Sequence, residues 1–343
     1  MSRPDTLIDR ILIVGLGSIG KRHLSLARDL FPKADIRILR HEANVDLPPL
    51  SNGCFSMLDE ALAFSPQLAV IANPAPFHVT VSKALADLGC NLLIEKPLAD
   101  TWRAAIPMVK LTKRRKQVFL LGYNLRYLPS LQQFRQAFQS GLIGRALSVR
   151  CEIGQYLPSW RPGSDYRKSV SARRELGGGV LLELSHELDY LCWLFGDVQW
   201  IRATLASQSE LDIDVEDTAH LTLGFTLQSR PVIAALTLDF IRHDTTRQCT
   251  IIGEAGSLRW NAISGCVELY PSGASAWQSL FVEVPERNQS YFAEWQHMIE
   301  CIEGEAEPLV TFQDGLHILK TIEAAHLSST GAGVQVLISD LQE

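Results

Sequence analysis

Three side chains in this sequence are suited to acid–base chemistry. Glu95 and Lys96 are adjacent, at the end of a predicted strand (residues 91–95) and directly before Pro97. Because proline disfavours helical backbone in the residue before it, we expect Lys96 to be extended, with its ammonium in a crevice at the strand end. His186 is a candidate proton carrier, because an imidazole titrates near neutral pH. The alternatives are a surface ion pair of Glu95 with Lys96 and a structural histidine.

A glycine-rich turn near the N-terminus predicts a dinucleotide site. The buried-strand pattern of residues 11–14 ends at Gly15, and Gly15, Gly17 and Gly20 have the G-x-G-x-x-G spacing. Gly15 permits a tight turn, Gly17 lets a pyrophosphate approach the backbone, and Gly20 lets the next helix pack against the strand. Strand and helix patterns on either side of the motif favour this interpretation over an ordinary turn.

The helix expected after this turn, about residues 18–30, directs its free N–H groups and the positive end of its dipole at the phosphates. Ser18 and Ile19, in its first turn, are therefore predicted cofactor contacts. Arg40 stands 20 positions beyond Gly20, where an acidic residue normally holds the ribose hydroxyls of NAD. Arginine cannot accept those hydrogen bonds but can pair with a 2′-phosphate, which favours NADP. If Arg40 only stacks on adenine, the cofactor is NAD.

The next strand pattern, residues 68–72, also ends in polar side chains. Asn73 and Pro74 follow it directly, and His78 lies shortly beyond. Polar residues after a parallel strand lie in the crevice where such sheets bind ligands, so these three are predicted cofactor contacts. The alternative is that Asn73 only shapes the turn and His78 only begins a helix. The alternation of strands and helices predicts an α/β Rossmann domain over residues 1–124.

Beyond residue 124 the hydrophobic period changes from the helical value to two. The strand patterns are residues 146–153, 200–207, 218–226, 232–241, 248–252, 257–261, 266–270 and 280–284. Two helices, about residues 289–303 and 313–329, and a short strand at 334–338 end the chain. These patterns predict an α+β domain over residues 125–343 with a large, mainly antiparallel open sheet. One face of such a sheet needs a cover, and a second subunit is the expected cover.

A long loop, residues 155–176, interrupts the strand pattern. It carries aromatic and cationic side chains that suit a polar or anionic ligand such as a sugar acid or a nucleotide sugar. Trp160 and Arg161 are predicted cofactor contacts, and Tyr166, Arg167 and Lys168 are predicted substrate contacts. The alternative is a solvated basic loop that pairs with the acidic surface.

The loop leads into a triple glycine, residues 177–179, followed by a helix expected to continue to about residue 195. Glycines at a helix start allow a ligand to approach closely, which favours a functional His186. On a continuous helix Glu183 and His186 are three positions apart and share one side. Both are therefore candidate substrate contacts.

Four motifs occur together in a recognisable order. They are the glycine turn, Asn73-Pro74 with His78, Glu95-Lys96-Pro97, and the run from Gly122 to Arg126, which contains Asn124. Over essentially the whole chain they resemble the glucose–fructose oxidoreductase / inositol dehydrogenase / rhizopine-catabolism (Gfo/Idh/MocA) family of NAD(P)-dependent oxidoreductases. The resemblance implies that Asn124 contacts the cofactor and that Lys96 lies beside the nicotinamide and the reacting hydroxyl. It also implies that the Lys96–Pro97 peptide is cis. Glu95 and Lys96 are both predicted cofactor contacts.

The resemblance is looser around the histidine. The family usually has an aspartate four residues before its histidine, whereas here Glu183 precedes His186 by three. By resemblance the proton-transfer role passes to His186, and Glu183 becomes an orienting group. The run from Ser185 to Tyr190 resembles members found with surface-polysaccharide sugar pathways.

The resemblance implies an oxidoreductase that transfers hydride between the nicotinamide and a carbinol or carbonyl carbon of a sugar or sugar derivative. Lys96 polarises the substrate oxygen and His186 transfers the proton. The family commonly pairs the faces of its large sheets, which implies a homodimer or homotetramer. The alternatives are an NAD-dependent glycosidase of the same fold and a non-catalytic dinucleotide-binding regulator.

Composition excludes several other classes of function. The net charge is −6 and the basic residues are scattered, so neither a nucleic-acid nor a membrane surface is expected. The seven cysteines include no C-x-x-C pair, which argues against a metal site or a disulfide set. The N-terminus has no apolar signal region, and no apolar run approaches the roughly 20 residues of a membrane span. We therefore expect a cytoplasmic location and no metal.

Overall fold

The computed structural model describes residues 8–41, 47–113 and 116–341, and the chain divides into two compact units. The first comprises residues 1–123 and 291–316, and the second comprises residues 124–290 and 317–343. The sequence places the domain boundary after residue 124, and the first segment of the first unit ends at residue 123. The structure also assigns a later segment, residues 291–316, to the first unit, which the sequence pattern did not separate.

A six-stranded parallel sheet forms the centre of the first unit. Its strands are β1 (Arg10–Val14), β2 (Asp35–Leu39), β3 (Gly53–Phe55), β4 (Leu68–Ile71), β5 (Asn91–Glu95) and β6 (Phe119–Gly122). Helices α1 (Ser18–Leu30), α2 (Leu58–Ala63), α3 (His78–Asp87) and α4 (Trp102–Thr112) alternate with them. The strand order β3-β2-β1-β4-β5-β6 confirms the predicted α/β Rossmann arrangement.

The strand order places a switch point between β1 and β4. From β1 the chain first builds outwards through β2 and β3, then returns to add β4 on the other side of β1. Every residue of β4 is buried, as expected for a strand covered on both faces. In open parallel sheets, ligands bind beyond the carboxyl ends of the strands at such a switch point.

The second unit is built on a nine-stranded sheet. Its strands are β7 (Ala146–Gly154), β8 (Trp200–Ala206), β9 (Thr218–Leu227), β10 (Arg230–Asp239), β11 (Thr246–Gly253), β12 (Gly256–Asn261), β13 (Cys266–Pro271), β14 (Gln278–Val282) and β15 (Val336–Leu337). The order is β14-β13-β12-β11-β7-β10-β9-β8-β15. β10 pairs with β7 in parallel, and the other described pairs in this sheet are antiparallel. The prediction of a large, mainly antiparallel sheet is therefore confirmed.

The remaining helices divide between the two units, and one predicted helix differs from the structure. Helices α5 (Pro129–Gln139), α6 (Val180–Glu183) and α7 (His186–Phe195) belong to the second unit, as does most of α9 (Phe312–Thr330), whereas most of α8 (Gln289–Glu303) belongs to the first. The single helix expected up to residue 195 is divided between α6 and α7. Ser185 explains the break, because its hydroxyl donates to the Leu182 carbonyl at 2.9 Å, an oxygen that a continuous helix would pair with the N–H of His186.

No helix in the described part of the chain is both long enough and apolar enough to cross a membrane.

Candidate functional site

The glycine turn has the backbone environment that its spacing requires. Gly15 has φ +87°, and a Cβ there would lie 2.8 Å from the Ala72 carbonyl oxygen. A Cβ on Gly20 would lie 2.2 Å from the Gly15 carbonyl oxygen, so only glycine allows α1 to pack this closely. At Gly17 a Cβ would meet no described atom within 4 Å, which leaves the backbone open to a ligand. This turn therefore fits a pyrophosphate.

Ser18 and Ile19 form the first turn of α1, so their backbone N–H groups belong to its open N-terminus. Arg40 follows β2, and its own N–H donates to the Phe55 carbonyl at 3.0 Å. The Arg40 side chain is half-buried. Because β1 and β2 are parallel, the turn and Arg40 lie at the same edge of the sheet.

Asn73 and Pro74 follow β4 at the same edge. The Oδ1 atom of Asn73 is buried and has no hydrogen-bond partner among the described residues. A buried polar atom without a partner carries a desolvation cost that a ligand can relieve. Together with the open backbone at Gly17, this atom fits a polar cofactor bound at the switch point.

His78 lies inside the first unit, where it connects two loops. Its Nε2 lies 2.7 Å from the Asn73 carbonyl oxygen, and its Nδ1 lies 3.0 Å from the Pro97 carbonyl oxygen. Burial, the dominant effect, lowers the pKa of His78, so the ring is neutral and donates through one nitrogen only. The structure thus gives His78 a bracing position between the loops after β4 and β5. Direct contact with a cofactor stays a prediction.

Glu95 and Lys96 end β5 at the carboxyl edge of the parallel sheet. The Lys96–Pro97 peptide is cis, which confirms that expectation. The Lys96 side chain is half-buried, and the Glu95 side chain is buried. Glu95 does not form a surface ion pair, because its Oε1 faces the buried His23 at 2.7 Å. His23 was not identified from the sequence.

In the second unit, His186 is the first residue of α7 and is half-buried. Two buried ion pairs hold the turn that follows it. Arg126 donates from Nη2 to Asp189 Oδ1 at 2.7 Å and from Nε to Oδ2 at 3.0 Å, while Arg247 Nε lies 2.8 Å from Glu187 Oε1. A bidentate pair fixes direction as well as distance, so these contacts define the orientation of α7.

The basic loop brings three of its predicted site residues together. Trp160, Arg161 and Tyr166 line a small pocket within the loop, with Ser171 beside them. The hydroxyl of Ser171 donates to Glu183 Oε2 at 2.8 Å, which ties Glu183 to the same loop. The pocket therefore combines aromatic surface, a cation and hydroxyl groups.

The two other predicted site residues of this loop, Arg167 and Lys168, do not line that pocket. Arg167 pairs with Asp165 at 2.8 Å, and Lys168 is exposed. The hydrogen bond from the Arg167 guanidinium lowers the pKa of the Asp165 carboxyl. The positive charge expected from the sequence is thus partly neutralised within the loop itself.

The triple glycine serves local packing. A Cβ on Gly178 would lie 2.3 Å from the Val170 carbonyl oxygen, and a Cβ on Gly179, where φ is +112°, would lie 2.5 Å from Glu216 Oε1. Atoms of the chain itself therefore occupy the space of a Cβ at these two positions, and a close ligand approach at the triple glycine stays a prediction.

Asn124 belongs to the second unit. Its side-chain amide is buried and donates to the Ser290 hydroxyl at 2.7 Å. A cofactor contact by Asn124 stays a prediction.

Models of one family match both parts of the chain. An oxidoreductase family with an NAD-binding Rossmann fold matches residues 10–123, and the GFO/IDH/MocA C-terminal domain matches residues 131–259. Levoglucosan dehydrogenase of Pseudarthrobacter phenanthrenivorans is 27% identical over 210 residues, which are 57% of this chain and 53% of that protein. An uncharacterised oxidoreductase of Synechocystis sp. is 29% identical over 218 residues, 60% and 57% of the two chains. The match spans about half the length of these curated relatives.

Solved structures share the fold. Levoglucosan dehydrogenase in complex with NADH and levoglucosan has a TM-score of 0.81 at 19% identity, covering 95% of this chain and 98% of that one. The WlbA dehydrogenase of Bordetella pertussis, in complex with NADH and UDP-GlcNAcA, has a TM-score of 0.76 at 22% identity, covering 96% and 98%. The resemblance noted in the sequence is confirmed, and the chain belongs to the Gfo/Idh/MocA family of oxidoreductases.

Proposed function

We propose that this protein is an NAD(P)-dependent dehydrogenase or reductase that acts on a CH–OH group of a sugar or sugar derivative. The observation that supports this best is the position of Lys96. It ends β5 at the carboxyl edge of the parallel sheet, the same edge that carries the open glycine turn. A cation there can contact a substrate oxygen while the coenzyme occupies the switch point.

The protein contributes charge and orientation to this reaction. The bound nicotinamide supplies the hydride chemistry. The Lys96 ammonium donates a hydrogen bond to the substrate oxygen and stabilises the negative charge that develops on it. The imidazole of His186 takes the hydroxyl proton during oxidation and returns it during reduction. The buried pairs at Asp189 and Glu187 hold α7, and therefore the His186 backbone, in one orientation.

Lys96→Ala tests this assignment, with Lys83→Ala, an exposed lysine on α3, as the matched control. We expect Lys96→Ala to lower kcat by about 10²–10³-fold, the usual cost of removing one oxyanion donor, with the coenzyme Kd retained. Lys83→Ala should have the kcat and the coenzyme Kd of the unsubstituted protein. A Lys96→Ala variant with near-normal kcat would show that the catalytic assignment is wrong.

The choice of coenzyme depends on Arg40. Its guanidinium, at the carboxyl end of β2, can pair with a 2′-phosphate, which supports NADP. NAD is the alternative, since the levoglucosan dehydrogenase and WlbA structures contain NADH. Calorimetric titration of the cofactor-stripped protein with NADPH and NADH decides between them. If Arg40 binds the 2′-phosphate, Arg40→Ala should raise the Kd for NADPH by roughly ten- to a hundredfold and leave the Kd for NADH unchanged.

The substrate is expected to be a polar sugar derivative. The basic loop offers the aromatic ring of Tyr166 and the exposed cation of Lys168 to such a ligand. Glu183, held by Ser171, supplies an acceptor for sugar hydroxyls. A substrate screen should therefore include neutral sugars, sugar acids and nucleotide sugars. Release of NAD(P)H with a sugar product separates a dehydrogenase from a glycosidase, which regenerates its coenzyme, and from a regulator, which turns over nothing.

The large sheet is the proposed surface for a homodimer or homotetramer. Ile233 on β10 is an exposed apolar side chain of this sheet. Oligomers of identical subunits commonly bury such a face. A cytoplasmic location stays a prediction from the sequence.

A further inference from the structure

Two carboxyl groups lie close together inside the first unit. Glu95 ends β5, and Glu294 lies on α8. Together with His23 of α1, they have potential ligand atoms within 4.8 Å of one another. Glu294 and His23 are fully buried, and Glu95 is 7% exposed. Two adjacent buried carboxylates would repel each other strongly, so the protonation of this cluster needs an explanation.

Trp295 determines the tautomer of His23. The indole N–H of Trp295 is only a donor, and it lies 2.9 Å from His23 Nδ1. Nδ1 must therefore accept, which leaves the ring proton on Nε2. That N–H donates to Glu95 Oε1 at 2.7 Å, so His23 points its Nε2 proton at Glu95.

Glu95 is surrounded as a carboxylate should be. Its second oxygen, Oε2, accepts the backbone N–H of Lys96 at 3.3 Å. Gly122, opposite Glu95 on β6, leaves room for the side chain, because a Cβ there would lie 3.3 Å from Glu95 Cδ. Each oxygen of Glu95 thus accepts a hydrogen bond, one from His23 and one from the Lys96 backbone. The Lys96 backbone is bound directly to this charge.

Glu294 has the opposite environment. Neither of its oxygens has a hydrogen-bond partner among the described residues. Burial, and then the charge of Glu95, raise the pKa of Glu294 well above its usual range. Arg22 lies over the Tyr291 ring at 4.5 Å, and burial raises the pKa of Tyr291, so that phenol is neutral. A protonated Glu294 would be uncharged in this environment and would have one O–H to donate.

A divalent cation would need different protonation. Binding at His23 would require the lone pair of Nε2, yet that nitrogen carries the proton because Trp295 occupies Nδ1. A neutral Glu294 is also a poor metal ligand, since metals bind the deprotonated group. The hydrogen bonds of His23 therefore favour a protonated cluster over a bound metal ion.

We propose that Glu294 shares its proton with the Glu95 carboxylate, and that Glu294 and His23 are positioning residues that hold the Glu95–Lys96 peptide for the reaction. This role for Lys96 rests on the proposed function. The shared proton does not, because it is a property of the folded protein with or without coenzyme. With this proton, Glu95 and Glu294 together carry one negative charge, next in sequence to Lys96.

Infrared difference spectroscopy tests the shared proton directly. The purified protein at neutral pH should show the C=O stretch of a protonated carboxylic acid, and Glu294→Gln should lack it. Absence of this band from the unsubstituted protein would overturn the proposal. So would a stoichiometric divalent metal in the purified protein that Glu294→Gln loses.

Kinetics test the positioning role. Glu294→Met removes the donor at similar volume, and we expect kcat to fall about tenfold or more with the coenzyme Kd nearly unchanged, because small displacements of a reacting group are costly. Glu294→Gln keeps a neutral donor and should rescue most of this loss. Equal losses in both variants would overturn the positioning role, as would equal activity in both. Should Glu294→Met not fold, Glu294→Leu takes its place, and the infrared band is measured independently.

The two proposals fail in different ways. A fully active Lys96→Ala variant would remove the catalytic role of Lys96 but leave the infrared band of Glu294 in place. A missing band with an inactive Lys96→Ala variant would remove the shared proton and leave the proposed function standing.

Discussion

Replacing Gly17 by serine should separate coenzyme binding from folding, because this position is open to solvent and has an ordinary backbone. Gly17 has φ −67° and ψ −170°, which any residue can adopt. A side chain would meet no described atom within 4 Å. Gly17 is also the N-cap of α1, where serine is preferred over glycine by about a few tenths of a kcal/mol. The free energy of unfolding should therefore stay level or rise slightly.

Coenzyme binding should weaken, because the serine side chain occupies the approach of the pyrophosphate. Losing one charge-assisted hydrogen bond from the backbone costs about 1.5–3 kcal/mol, which is roughly ten- to a hundredfold in Kd. Calorimetric titration with NADPH and NADH measures this loss, and thermal unfolding without coenzyme measures stability.

Gly20→Ala is the matched control. Its Cβ would lie 2.2 Å from the Gly15 carbonyl oxygen, so it should destabilise the apoprotein by about 1–3 kcal/mol or more. An unchanged coenzyme Kd in Gly17→Ser would refute the assignment of this turn. A Tm lowered as far as in Gly20→Ala would refute the open environment of Gly17.

Other substitutions test the buried charges, a histidine and the sheet surface. Arg126→Met should lower the free energy of unfolding by about 3–5 kcal/mol in urea titration, because Asp189 stays buried without its partner; an unchanged midpoint would contradict the ion pair. Burial lowers the pKa of His78, so the unfolded chain binds a proton that the folded chain does not. Stability should therefore fall as pH drops below about 6.5, and His78→Gln should lack this fall; parallel curves for the two proteins would argue against it. Ile233→Lys should shift sedimentation towards the monomer, and an unshifted oligomer would exclude this surface.

Local patterns were sufficient to predict most of the fold. Strands such as β4 and β9 carry apolar runs or period-two alternation within a few residues, and all eight strands predicted between residues 146 and 284 are present. The helix break before His186 was missed, because a serine inside an apolar helical pattern does not reveal which carbonyl its hydroxyl will bond. Residues 291–316 also carry an ordinary helical pattern, which does not indicate the unit to which they belong.

The candidate site was predictable only where its residues form a contiguous motif. The glycine turn and the Glu95-Lys96-Pro97 element are contiguous, so their spacing is visible in the sequence. The partners that set the charge of these groups are distant. His23 and Glu95 are 72 positions apart, and Arg126 and Asp189 are 63 apart. No periodicity links such pairs, because only the folded chain brings them together.

The buried acids of this chain show why the partner matters more than the residue type. Asp189 and Glu187 are as fully buried as Glu294, yet each faces an arginine that offsets the cost of burying its charge. Glu294 faces a second carboxylate, so protonation is the lower-energy solution for it. The formal charge of −6 counts Glu294 as ionised, so the proposed proton on Glu294 would make the folded protein one unit less negative. Unfolding returns Glu294 to its ordinary pKa and releases this proton. Its contribution to stability therefore falls as pH rises from the ordinary carboxyl pKa towards the raised pKa of the folded state, the reverse of the His78 effect.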